Sequence, residues 1–348
     1  MDIISYQVIK VWVERLCFME SINVLVLSNI SEECRQRIAN ISPRIKLTDV
    51  SGLLRDEQNG NLASKENLDT LLAEADVLFG FRLPRNVLAR APRLKWVQVM
   101  SAGVERYLNT DVMDSPVMLA NVSGIHAIPI GEFVLGLMLM FVKQAPLFIQ
   151  SKQEKRWERQ NATVLCAKTV GIVGLGSIGR EVARLAKAFG MRVLATRRKA
   201  KKIGRARYVD TLFPPEQMQQ LLVESDFVVM ALPFTPETSK IIGEKELRTM
   251  KPSAYLINIA RGGVVDEEAL IRALEEGWIA GAGLDVFATE PLPADSRLWE
   301  LPNVIISPHI SGMMDDYVEQ STEVFAENLR RYLDGKRLLT MVDKQKGY

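Results

Sequence analysis

Three short strings in the C-terminal half carry the residues best suited to chemistry: IARGG at 259–263, DVFATEPLP at 285–293 and SPHISG at 307–312. They offer an arginine, Arg261, a carboxylate, Glu290, and an imidazole, His309. Arginine presents a planar fork of donors that suits a carboxylate and a neighbouring carbonyl oxygen. A carboxylate on one imidazole nitrogen fixes the tautomer and leaves the other nitrogen to give or take a proton. Together the three make a set for moving a proton beside a bound anion. Each also has a plainer reading: Arg261 in a salt bridge, Glu290 as a loop charge, His309 as a structural histidine. The chain has only one other histidine, His126, which reads as capping or packing the start of a helix.

A second constellation is GLGSIG, Gly174 to Gly179, which follows the apolar run TVGIV and opens a helical stretch. In that context Gly174 permits a tight turn, Gly176 lets the backbone approach a pyrophosphate, and Gly179 allows close packing of helix on strand. The N–H groups and partial positive charge of the helix start then face the phosphates. The next strand, RVLAT, is followed by Arg197 and then by Arg198, Lys199, Lys201 and Lys202. An acid there would hold the 2′-hydroxyl of an adenine ribose, whereas a guanidinium pairs with a 2′-phosphate. NADP(H) is therefore the expected cofactor, with NAD possible if the loop is only a solvated basic stretch. Asp285 is left with two readings: a partner for the cofactor, or an acid binding loop amides at a strand end. The backbone of Ala102, Gly103 and Val104, after another apolar run, offers N–H groups to an anion.

These residues need a scaffold that gathers strand ends. The chain alternates short apolar runs with amphipathic stretches, the pattern of buried parallel strands separated by helices. In the first third the strands are INVLVLS, ADVLFGF and KWVQVM, with a helix capped by Ser31 and another from about Leu83. One long helix is expected from Ala127 to about Gln150. Then come strands at Thr169–Val173, Arg192–Thr196, Phe227–Ala231, Ala254–Ile259, Ala280–Leu284 and Val304–Ser307, enough for a doubly wound dinucleotide fold. A terminal helix, Asp315–Leu333, follows the finished sheet and returns to the first domain. The expected fold is α/β, with two Rossmann-like or flavodoxin-like domains and the nucleotide-binding domain, 122–312, inserted in a split substrate domain, 22–121 and 313–348. Residues 1–21 read as an extension of no assigned role.

Composition narrows the partners. With 44 basic and 42 acidic residues the net charge is +2, so no polyanion surface is indicated and nucleic acid is not an expected partner. The longest apolar run, Phe133–Val142, falls short of the roughly 18 residues of a membrane span and reads as a buried helix. Three scattered cysteines, Cys17, Cys34 and Cys166, show no metal-ligand spacing and fit a reducing, cytoplasmic setting.

With these motifs in order, the chain resembles the D-isomer-specific 2-hydroxyacid dehydrogenase family from about Ile22 to Leu333, especially its glyoxylate/hydroxypyruvate reductase branch. The resemblance implies catalytic roles for Arg261, Glu290 and His309, with His309 as proton donor to a small 2-oxo acid reduced by NAD(P)H to a D-2-hydroxy acid. It implies cofactor contacts at Gly174, Gly176, Ser177, Ile178, Gly179, Arg197, Arg198, Leu232, Ile259, Ala260, Arg261, Asp285, His309 and Gly312. It places substrate contacts at Ala102, Gly103, Val104, Arg261 and His309, and it implies a homodimer and no metal. Glu105 departs from the aspartate common in the family. Other readings are a dehydrogenase of a bulkier 2-hydroxy acid or of phosphite, and a dinucleotide-sensing corepressor-like protein.

Overall fold

The computed structural model describes residues 21–346. All but Ser21 of the expected N-terminal extension lies outside them. The chain divides into two units, one running to Ile125 and resuming at Asp315, the other spanning His126–Met314.

The first unit holds a five-stranded parallel sheet in the order β2-β1-β3-β4-β5. Its strands are β1 (Ile22–Val26), β2 (Ile45–Asp49), β3 (Val77–Gly80), β4 (Trp96–Val99) and β5 (Met118–Ala120). β3 and β4 are buried at every position, and apart from Gln98 in β4 they read as apolar runs. The edge strand β2 buries only Ile45, and β5 has only three residues; neither was among the expected strands. The helix Glu32–Ala39 begins at Ser31, whose hydroxyl accepts from the Cys34 N–H. The helix expected from about Leu83 is a single turn, Val87–Arg90, after Asn86 in a left-handed conformation. The terminal helix, Tyr317–Leu333, packs Phe325 flat on Phe79 with ring centroids 4.2 Å apart, and Gly335 leaves it with a φ of +66°.

The second unit is built on an eight-stranded sheet in the order β13-β12-β11-β10-β6-β7-β9-β8. Its strands are β6 (Thr169–Val173), β7 (Arg192–Thr196), β8 (Gly204–Ala206), β9 (Val209–Phe213), β10 (Phe227–Met230), β11 (Tyr255–Asn258), β12 (Gly281–Leu284) and β13 (Val304–Ile306). All pairings are parallel except β8 with β9. Six strands were expected. β8 and β9 add a hairpin-like edge that their composition hid, because GRA is mostly exposed and VDTLF buries only its ends. Running outward both ways from β6, this is the doubly wound Rossmann order, with its switch point between β6 and β10. One apolar cluster covers each face of the sheet.

The apolar stretch after Ala127 is two helices, Ala127–Val142 and Ala145–Gln153, bent by 67°. Gln144 takes a φ of +59° at the break and Pro146 stands in the first turn of the second helix, so the single long helix of the sequence reading is interrupted. The first of the pair lies against the helix Ser177–Ala188, close enough that a Cβ on Gly131 would meet Glu181 Cγ at 2.8 Å. No single helix among the described residues is long and apolar enough to cross a membrane.

Candidate active site

In a parallel sheet every strand delivers its C-terminal end to the same edge, and the second unit uses six such ends. β6 leads to Gly174, β7 to Arg197, β10 to Leu232, β11 to Arg261, β12 to Asp285 and β13 to His309. The glycine turn is shaped by contacts on two sides. Gly174 has a φ of +107°, and a Cβ there would lie 2.5 Å from the Ala231 carbonyl oxygen. A Cβ on Gly179 would reach the Gly174 carbonyl oxygen at 2.2 Å, whereas one on Gly176 would meet nothing within 4 Å. Open space therefore lies over the middle glycine, where Gly176 and Ser177 are exposed and Ile178 partly so, at the start of the helix Ser177–Ala188. The first N–H groups of a helix have no partner within it. Leu232 borders the turn, since its Cβ would stand 3.0 Å from the one built on Gly174.

Arg261 follows a turn held by Asn258, which is 1% exposed. Asn258 Oδ1 accepts from the Ala260 N–H at 3.1 Å and Nδ2 donates to the Arg261 carbonyl at 3.1 Å. Ile259 and Ala260 are buried beneath, and Arg261 Nη1 donates to the Ala260 carbonyl at 2.7 Å. The chain after β12 crosses directly over Gly262: a Cβ there would overlap Phe287 at 1.9 Å. Only glycine lets the Arg261 turn and the Glu290 loop touch. Glu290 Oε1 accepts from the Phe287 N–H at 3.1 Å, and Oε2 lies 2.8 Å from His309 Nδ1. His309 is about half exposed and has a φ of +56°, a left-handed conformation uncommon for a residue with a side chain.

Asp285 shows why that loop keeps its shape. It is fully buried, and a buried carboxylate needs donors. Oδ1 takes the Ser307 hydroxyl at 2.7 Å and the Ile310 N–H at 2.9 Å, and Oδ2 takes the Ser311 N–H at 3.1 Å. Asp285 thus binds two loop amides and a hydroxyl. Gly312 closes the same loop against His126, whose Cδ2 would lie 2.8 Å from a glycine Cβ. His126 stands at the N-cap of Ala127–Val142 without a side-chain capping bond, so it packs rather than caps.

Arg197 and Arg198 are exposed at the end of β7, beside the β8–β9 edge with its own Arg205 and Arg207. Ala102, Gly103 and Val104 follow β4 and belong to the first unit, with Val104 buried, whereas the other residues belong to the second.

The family model for the NAD-binding domain of D-isomer-specific 2-hydroxyacid dehydrogenases matches residues 135–311. A glyoxylate reductase of Thermococcus gammatolerans is 40% identical over 279 residues, covering 76% of this chain and 80% of its own. The chain belongs to the D-isomer-specific 2-hydroxyacid dehydrogenase family. A family structure from Xanthobacter autotrophicus, in complex with NADPH and MES, matches with a TM-score of 0.79 and 29% identity over 94% of this chain and all of that one. The NADPH-dependent glyoxylate/hydroxypyruvate reductase of Sinorhizobium meliloti, with NADP and sulfate, gives 0.78 and 26% over 94% and 100%.

As a 2-hydroxyacid dehydrogenase the chain binds a nicotinamide dinucleotide, and its own residues fit one: the open space over Gly176 faces the start of a helix, as a pyrophosphate requires. Sequence reasoning gave Asn258, Ser307 and the packing of His126 no part in this dehydrogenase's site. A polar residue ending the buried run YLIN was the one available signal for Asn258. Burial first, and then the positive charge of Arg261, hold the His126 imidazole below its ordinary 6.5. A depressed folded-state value means that the neutral ring's contribution to stability is complete above the unfolded value and is lost as pH falls through the folded one. The melting temperature should therefore fall more between about pH 7 and pH 5 in the wild type than in His126→Gln. Equal slopes in thermal melts across that range would refute this.

Proposed function

We propose that this dehydrogenase reduces small 2-oxo acids of the glyoxylate and hydroxypyruvate type to D-2-hydroxy acids, with NADPH preferred. The observation that carries the reading is the 2.8 Å contact of Glu290 with His309 Nδ1. It orients the ring on the same sheet edge as the glycine turn and leaves Nε2 to meet the substrate. When bound, the reduced nicotinamide supplies hydride to the carbonyl carbon. His309, with Glu290 balancing its positive charge, protonates the oxygen, and Arg261 stabilises the charge that builds there. The backbone N–H groups of Ala102, Gly103 and Val104 hold the substrate carboxylate. The similarity to glyoxylate reductases supports the substrate class.

His309→Ala should lower kcat for glyoxylate and hydroxypyruvate by about 100- to 10,000-fold, the usual span for a general acid. Steady-state turnover within a few fold of wild type would remove His309 from the proton transfer.

The NADPH preference rests on Arg197, which is exposed and has no ion-pair partner among the described residues, at the position where an acid would select NAD. Arg197→Asp should shift the ratio of kcat/KM for NADPH over NADH by about tenfold or more toward NADH, the scale of a charged hydrogen bond. An unchanged ratio would discard the phosphate pairing.

We further propose a homodimer. The helix Ala145–Gln153 leaves Leu147, Phe148 and Ile149 between 40% and 53% exposed, with Trp157 at 97% nearby in sequence. Apolar side chains grouped in this way mark association surfaces. Sedimentation as a monomer at micromolar concentration would count against the dimer.

A further inference from the structure

The loop after β4 has its peptide planes set by side chains. Asn121, 5% exposed, donates from Nδ2 to the Ala102 carbonyl at 2.7 Å. The Ser101 hydroxyl donates to the Gly103 carbonyl at 2.8 Å. In a planar trans peptide the N–H points opposite to the preceding carbonyl. Holding the Ala102 carbonyl therefore aims the Gly103 N–H, and holding the Gly103 carbonyl aims the Val104 N–H. Each donor is turned away from the bond made on the far side of its peptide.

Asn121 is itself held on all sides. Its Oδ1 accepts from the Ser123 N–H at 3.0 Å, and its backbone carbonyl accepts from Gln98 Nε2 and from the Thr340 hydroxyl, both at 2.6 Å. Its own N–H donates to the Thr340 carbonyl at 3.2 Å. Behind it, Gln98 Oε1 takes Asn328 Nδ2 at 2.9 Å, and Asn328 Oδ1 takes the Leu339 N–H at 2.6 Å, with Gln98 and Asn328 both fully buried. The segment around Thr340 lies along β5, where Met341 bridges to Ala120 and the Val342 N–H donates to Leu119 at 2.9 Å. A buried network of this kind holds its shape only while each member keeps its partner.

We propose that Asn121 and Thr340 are positioning residues that aim the Gly103 and Val104 N–H groups, so that the C-terminal segment around Thr340 sets the affinity for the substrate carboxylate. The proposal rests on the assignment of that loop to the substrate made above. It assigns the final stretch of the chain a part in substrate binding without any contact with the reacting atoms.

Thr340→Val removes one hydroxyl at nearly constant volume, Asn121→Ala removes the donor to Ala102, and Thr340→Ser keeps the hydroxyl. For the first two, KM for glyoxylate should rise about five- to tenfold, the effect of losing roughly one hydrogen bond. The kcat and the KM for NADPH should stay within about twofold, a split that general loosening of the fold would not give. Thr340→Ser should behave as wild type. Hydrogen exchange, which needs no activity, should quicken at the amides of 101–104 in Thr340→Val and remain unchanged across β6 and the glycine turn. Unchanged KM for glyoxylate in both variants, or KM values for glyoxylate and NADPH rising together, would overturn the proposal. So would unchanged exchange at 101–104. A wild-type protein inactive on every 2-oxo acid would instead refute the reductase reading, and the exchange result would still decide whether Thr340 positions the loop.

Discussion

A single desolvated carboxylate governs the shape of the candidate active site. Asp285 directly follows β12 in a place where water does not reach it, and an ion in such a place must be surrounded by donors. The donors come from the stretch after β13: a hydroxyl and two backbone N–H groups, from Ser307, Ile310 and Ser311. His309 lies between them in the chain and so has little freedom left, even though its ring is open to solvent. Its left-handed backbone is a local strain that the three bonds on either side can hold in place. The residue that does the fixing is thus buried, while the imidazole it fixes is half exposed.

The other constraints work by exclusion of volume rather than by charge. Gly262 gives way to the chain at Phe287, Gly174 to the loop after β10, and Gly312 to the ring of His126. Each is a crossing of two segments distant in sequence, and each joins one loop of the candidate site to another segment. Arg261 is linked to Glu290 through the crossing at Gly262, Glu290 to His309 through its carboxylate, and the His309 loop to His126 through Gly312. The electrostatic effect of Arg261 on His126 closes the circuit.

What could be read from the sequence follows from how far each signal extends along the chain. TVGIV and FVVM are buried on both faces, so their apolar runs announce central parallel strands. IKLTD, GRA and VDTLF lie at or near sheet edges and mix polar with apolar residues, and nothing in their composition separates them from loops. The glycine turn was legible because strand, turn and helix are contiguous. Asp285 was not resolved by sequence alone, because its partners are on another strand's loop and both of its readings require an acid at a strand end. The networks around Asn258 and Asn121 were hidden for a related reason: an asparagine has no periodicity, and its meaning is set by which carbonyls the fold brings to it. The break at Gln144 had only Pro146 as a sign, within an otherwise helical run.

The strand order of the second sheet has a consequence for the time at which the site comes into being. From β6 onward, each strand that forms a parallel pair finds that partner already synthesised: β7 beside β6, β9 beside β7, β10 beside β6, then β11, β12 and β13 in turn. The sheet can therefore be laid down in the order in which the chain leaves the ribosome, with no strand waiting for a later parallel neighbour. His309 is carried past the last of these strands, and the donors that Asp285 needs arrive with it. A nascent chain that has completed its glycine turn still lacks the contact between Glu290 and His309 until the final strand docks, so that pairing is the last part of the sheet edge the growing domain acquires.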